Sequence, residues 1–293
     1  MELSAVAVPF MAAMAFPLAA LALKRAAEAT RDVWGLAFAC DMVVGLVFVP
    51  FLFGAHGSPP GATWWQPLAA GAVFCVGQAA AFKSFQGELS IAIPMQGAKV
   101  LLVALLAWAA LGQSPGFRFW GAAALSVAAI HFLNEPGPAS GGPRRILVTS
   151  LWAGLASLAF AAFDVAVQAW SPAWGVRAFS AYAFAAQAFF SLVFLAFPPR
   201  RRFRWSRPQW GWASLGAGIM AIITIGLVLT IGRSGQAAMV NLIFNSRCVA
   251  SVIFVWAAGR WFGNREAESG RRVMARRLEG AVLMLCALAL ALG

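Results

Sequence analysis

Five ionisable side chains stand inside stretches that are otherwise apolar: Asp41, Lys83, Lys99, Asp164 and Arg247. A charge at the centre of a membrane helix costs about 2.5–3.5 kcal/mol on insertion scales, so such a group faces protein or water and not lipid. Asp41, Lys99 and Arg247 each lie about eight residues into their stretches, roughly 12 Å deep and close to a bilayer midplane. Lys83 is near the end of its stretch and can snorkel to the surface. Two chemistries are open to these groups. They can pair as static bridges, Asp41 with Lys99 and Asp164 with Arg247. Alternatively they bind a ligand: Lys99 and Arg247 suit a carboxylate or phosphate, while Asp41 or Asp164 suits an ammonium group or a coupling proton. Together they match the two charges of an amino acid.

Amides and hydroxyls recur on shared helical faces. Ser157, Asp164 and Gln168 are spaced by seven and four; Ser180, Gln187 and Ser191 form another such set, and Asn241, Asn245 and Cys248 a third. Gln96 stands one turn from Lys99, and Pro94 and Gly97 just before it would let that helix bend. The candidate substrate contacts are therefore Lys99, Arg247, Gln96, Asn245, Asn241, Gln78, Gln187 and Tyr182, with Asp41 and Asp164 as coupling or amine-binding acids. Cys40, Cys75, Cys248 and Cys286 lie in apolar runs without a CxxC pair, and His56 and His131 are the two histidines. That set reads as small buried hydrophobes, with too few ligands for a zinc or di-metal site, so no metal or cofactor is expected. No nucleophile–His arrangement suggests an enzyme.

The elements that must position these groups follow from composition. Of 293 residues, 61% are hydrophobic and 11% charged, against about 25% charged in soluble domains. A soluble or disordered chain is excluded. Apolar runs fall at about 3–23, 33–53, 67–86, 91–111, 119–134, 147–170, 178–197, 209–232, 239–259 and 278–293, the fifth and tenth being short. The runs are continuous and do not alternate, which argues against an outer-membrane barrel. The first lacks a basic leader, Glu2 being its one charge, and is expected to be a spanning helix and not a cleaved signal. Trp34, Trp64, Trp65, Trp120, Trp174, Trp205, Trp210, Trp212 and Trp261 cluster near run ends, as interface anchors do. Ten runs make nine loops. The odd loops hold sixteen Lys and Arg, from Lys24 to Arg277, and the even loops hold Arg118, Arg177 and Arg233. This predicts odd loops in the cytoplasm and both termini outside. The net charge of +12 then reports orientation and not nucleic-acid binding.

The chain also repeats itself. A shift of 148 places Gly87, Lys99 and Trp108 on Gly235, Arg247 and Trp256, and Trp64 on Trp212. A shift of 146 places Phe38-Ala-Cys-Asp41 on Phe184-Ala-Ala-Gln187, and one of 159 places Arg118-Phe-Trp-Gly121 on Arg277-Leu-Glu-Gly280. The expected organisation is an all-α integral membrane protein of ten transmembrane helices in two five-helix repeats, 1–135 and 147–293, joined by a Pro/Gly linker over 136–146. An odd number of helices per repeat inverts the second copy, the architecture of alternating-access transporters. Lys99 and Arg247 would then face one cavity.

Two five-helix repeats, with Ile91-Ala-Ile-Pro-Met-Gln, Leu-Leu-Ala-Trp108 and Leu-Gly112-Gln closing the fourth helix, resemble the drug/metabolite transporter superfamily, and within it the ten-helix EamA-type exporters. The resemblance implies a basket of helices 1–4 and 6–9 around a central cavity, with helices 5 and 10 outside. Three features depart from the family pattern. Gln113 stands where many members carry Glu, Lys99-Val100 where many carry Pro, and both termini point outward where most members keep them in the cytoplasm. The expected function is a secondary transporter exporting amino acids or related small metabolites across a bacterial inner membrane. Proton coupling is open, and so is the choice of monomer or homodimer. Sugar phosphates, nucleotide sugars or other anions are the alternative substrates, with Lys83 as a third cation.

Overall fold

The computed structural model describes residues 3–54, 61–112, 117–133, 142–197, 203–263 and 270–292. The regular structure among them is helical: α1 Leu3–Thr30, α2 Val33–Phe48, α3 Trp65–Phe85, α4 Leu89–Gln96, α5 Lys99–Leu111, α6 Phe117–Leu133, α7 Pro143–Trp174, α8 Val176–Phe190, α9 Arg207–Ser234, α10 Ala237–Phe244, α11 Arg247–Ala258 and α12 Arg271–Leu292. Short 3-10 turns extend α2, α8 and α11. In lipid every backbone polar group must be satisfied within its own segment, and unbroken Ala-, Leu- and Phe-rich runs do this as helices. Counting α4 with α5, and α10 with α11, as interrupted single helices, eight described stretches are long and apolar enough to cross a membrane. The chain is thus an all-α, polytopic integral membrane protein.

The expected fifth and tenth spans, α6 and α12, are not among those eight. α6 has 17 residues. α12 opens with Arg271, Arg272, Arg276, Arg277 and Glu279, which lowers its apolarity. The two helices pack along each other. Several ends also differ from the sequence reading. α1 continues past residue 23 to Thr30, and α12 begins at Arg271 and not at 278. Lys24 and Arg277, expected in loops, therefore lie on helices and are buried. A first charge marks the end of an apolar run in the sequence, but these charges are held by protein partners. Of the expected linker, 136–141 lie outside the described residues, as do Gln113, His56 and Arg200 to Arg202; α7 already starts at Pro143. Cys286 is exposed, unlike the other three cysteines.

α1 lies against α9, α3 against α7, and α2 against α8. Buried alanines along α1 and α9, among them Ala13, Ala20, Ala213 and Ala217, let the backbones approach. The α4/α5 and α10/α11 interruptions meet each other. Pro94 has no N–H to continue its helix, and the turn closes by short-range bonds, Gly97 N to Pro94 O at 2.8 Å and Ala98 N to Met95 O at 3.2 Å. Across the gap, Asn245 Nδ2 donates to Gly97 O at 3.3 Å. A Cβ on Gly97 would stand 2.7 Å from Cys248 Sγ and 2.9 Å from Asn245 Oδ1, so glycine is what permits this crossing.

One end of the bundle is tied by cations. Lys24 Nζ donates to Gly87 O at 2.7 Å and Arg145 Nη2 to Gln86 O at 3.1 Å. Arg277 Nη1 pairs with Glu88 at 2.5 Å and donates to Ser90 Oγ at 2.6 Å. The α3–α4 turn is thereby bound to α1, α7 and α12. At the other end Trp174, expected as an interface anchor, is buried; it donates to Gln66 Oε1 at 3.0 Å and packs with Trp64 and Tyr182.

Candidate functional site

The helix interruptions put Lys99 and Arg247 at the first positions of α5 and α11, both buried. They line a central cavity of about 90 Å³, together with Asp164 from α7, Gln78 from α3 and Gln96 from α4. The remaining wall is apolar, with Phe16, Phe74, Phe163, Phe244, Ile223 and Leu227. Lys99 Nζ lies 2.6 Å from Asp164 Oδ2. Asn241 Nδ2 donates to the same oxygen at 2.6 Å and also to Ala237 O at 2.8 Å. Asp164 is thus held from two sides.

Arg247 is placed differently. Its guanidinium carbon stands 4.5 Å from the centre of the Phe16 ring and 4.3 Å from that of Phe244. The π faces offset part of its charge. Its Nε has no hydrogen-bond partner among the described residues. The expected static bridges, Asp41 with Lys99 and Asp164 with Arg247, are therefore not the pairs that form. Lys99 takes Asp164, and Asp41 and Arg247 each lack an ion-pair partner among the described residues.

Asp41 is fully buried on α2. One of its oxygens accepts from Gln187 Nε2 at 2.7 Å and from Gln78 Nε2 at 3.3 Å. The other oxygen has no partner. Asp41 does not line the cavity itself; Gln78, which does, links the two. Of the expected contacts, Lys99, Arg247, Gln96, Gln78 and Asp164 come together at the cavity wall. Asn241, Asn245 and Gln187 stand behind it as partners of Asp164, Gly97 and Asp41. Tyr182 is elsewhere, its ring 4.9 Å from Trp64. Lys83 is also elsewhere, over the Trp34 ring at 4.7 Å, so it is no third cation of this cavity. Sequence reasoning missed the aromatic wall. Phe16 and Phe244 carry no signal among 24 phenylalanines in an apolar chain; only their contact with Arg247 marks them.

Solved structures share this fold. One crystal structure superposes over 99% of this chain and 97% of its own, with a TM-score of 0.68 and 16% sequence identity. Likeness at that identity speaks for the fold alone. No family model matches the chain, and no curated protein matches its sequence.

Proposed function

We propose that the protein is a secondary transporter, not an enzyme. In this reading it exports small carboxylate-bearing metabolites across a bacterial inner membrane by alternating access. The observation that carries the reading is the buried Arg247 guanidinium, on a helix interruption beside the Lys99–Asp164 pair, lining the central cavity with no acceptor for its Nε among the described residues. A static membrane scaffold gains nothing from such a charge. Arg247 would take the carboxylate. Asp164 would stay paired with Lys99, and Asp41 behind Gln78 would carry a coupling proton.

We further place the chain with the ten-helix, EamA-type drug/metabolite transporters, as two inverted five-helix repeats. Several contacts support this. Gly97 and Asn245 are 148 residues apart and bonded; Asp41 and Gln187 are 146 apart and bonded. Equivalent residues that touch are what a two-fold axis between repeats produces. The packing of α1 on α9 mirrors that of α7 on α3. Ten crossings are also favoured by the tied end of the bundle. α4 leaves the α3–α4 turn and α5 carries the chain away from it, yet α7 begins beside that turn at Arg145, which favours a return of α6 across the bilayer. At about 25 Å its 17 residues come close to the hydrocarbon thickness.

A second reading, transport of other organic anions, is favoured by the lack of any counter-ion for Arg247. Flux of labelled carboxylates, amino acids among them, into proteoliposomes tests the proposal. Lys99→Ala and Arg247→Ala are expected to reduce uptake at least tenfold. Unchanged uptake in both would remove the cavity from the transport path.

A further inference from the structure

The charges that line the central cavity do not balance, and the imbalance bears on substrate class. Lys99 and Asp164 neutralise each other at 2.6 Å, and Asn241 holds the same Asp164 oxygen. Arg247 remains, 5% exposed, sandwiched by Phe16 and Phe244 and without an acceptor for Nε. The amide nitrogens of the wall glutamines and the Thr224 hydroxyl each already donate a hydrogen bond. Gln78 Nε2 donates to Asp41, Gln96 Nε2 to Ser84 Oγ at 3.2 Å, and the Thr224 hydroxyl to Met220 O at 2.8 Å. The cavity therefore offers one unused cation and no unused anion. We infer that its ligand is a monocarboxylate with an apolar, ring-sized body and no ammonium group.

The guanidinium fork matches a carboxylate in two parallel hydrogen bonds. A ligand ammonium would add a further positive charge beside Lys99 and Arg247 in a largely apolar chamber whose one carboxylate is already paired with Lys99, and burying a charge without a counter-charge is costly. It could be accommodated only by displacing Lys99 from Asp164, which would strand that lysine instead. Phe74, Phe163, Ile223 and Leu227 suit an apolar body. The cavity's 90 Å³, where about 10–15 Å³ suffices for one water, leaves room for a ring-sized body. The inference rests on the transport reading of this cavity, and it ranks substrates within that reading.

Binding to the purified full chain tests it, read as a rise in melting temperature and as a dissociation constant. The probes are benzoate, benzamide, benzylamine, acetate and phenylglycine. Benzoate is expected to bind at least tenfold more tightly than each of the others. Arg247→Gln is expected to abolish that preference, and Arg247→Lys to keep part of it. If Arg247→Gln fails to fold, the benzoate–benzamide difference on the wild-type chain reads the same contact. Phenylglycine binding as tightly as benzoate would overturn the inference, and so would benzoate binding that Arg247→Gln leaves unchanged. Proteoliposome flux separates the two levels. Benzoate that binds but never crosses would remove the transport reading and leave the selectivity standing. Flux that prefers phenylglycine would do the reverse.

Discussion

Lys99 and Arg247 each open a helix just after an interruption, yet one is paired and the other has no ion-pair partner among the described residues. Lys99 and Asp164 form a buried ion pair, and losing one partner of such a pair costs about 3–5 kcal/mol because the other charge is stranded. Asp164→Asn should therefore lower the melting temperature in detergent sharply. The double variant Lys99→Met with Asp164→Leu should recover much of that loss, since an apolar pair of similar volume removes the desolvation penalty. A double variant as unstable as Asp164→Asn would mean that Asp164 works through Asn241 instead. Asp41 makes a different prediction. Its two glutamine donors, Gln78 and Gln187, can hold an asparagine at that position. Asp41→Asn should keep the fold and substrate exchange but lose uptake driven by a proton gradient. Gradient-driven uptake at the wild-type rate would exclude Asp41 as the coupling acid.

At the scale of elements, the α3–α4 turn is the part most tightly tied. Lys24, Arg145 and Arg277 reach it from three helices, and a Cβ on Gly87 would overlap the Thr149 side chain. Arg277 is fully buried against Glu88. Arg277→Gln should loosen this end, so amide hydrogen exchange over residues 86–92 is expected to quicken at least tenfold while exchange in α8 stays unchanged. Exchange that quickens equally everywhere would mean a global loss of stability and no local tie. The sequence made the helices and the intramembrane charges legible because the bilayer penalises idle charge and unpaired backbone alike. It did not reveal which charges pair. α7 packs directly on α5 and brings Asp164 to Lys99, whereas α2 packs on α8, α9 and α3 and leaves Asp41 to its two glutamines. Nor did it locate the ends of α1 and α12, because Lys24 and Arg277 look like loop cations until their partners on the α3–α4 turn are known.

For the whole molecule, orientation depends on which cations still face solvent. Setting aside Lys24 and Arg277, which are committed to buried partners, leaves fourteen of the sixteen odd-loop cations against three on the even loops. The bias survives, and by it the tied end is expected in the cytoplasm. The same contacts make the number of crossings testable. If α6 crosses, the 113–116 loop is outside and the 134–141 segment inside. If it does not, both lie on one side. α12 starts at the tied end through Arg277 and packs along α6, so its C-terminus should emerge outside with the N-terminus. Single cysteines at 115 and at 139, on a background lacking the exposed Cys286, decide this with a membrane-impermeant maleimide applied to whole cells. The expected result is labelling at 115 and protection at 139, with a reporter that folds only outside the cytoplasm active when fused after Gly293. Labelling of both cysteines would mean that α6 lies along the surface. Protection at 115 with labelling at 139 would invert the molecule and place the tied turn, with its three cations, at the outer gate.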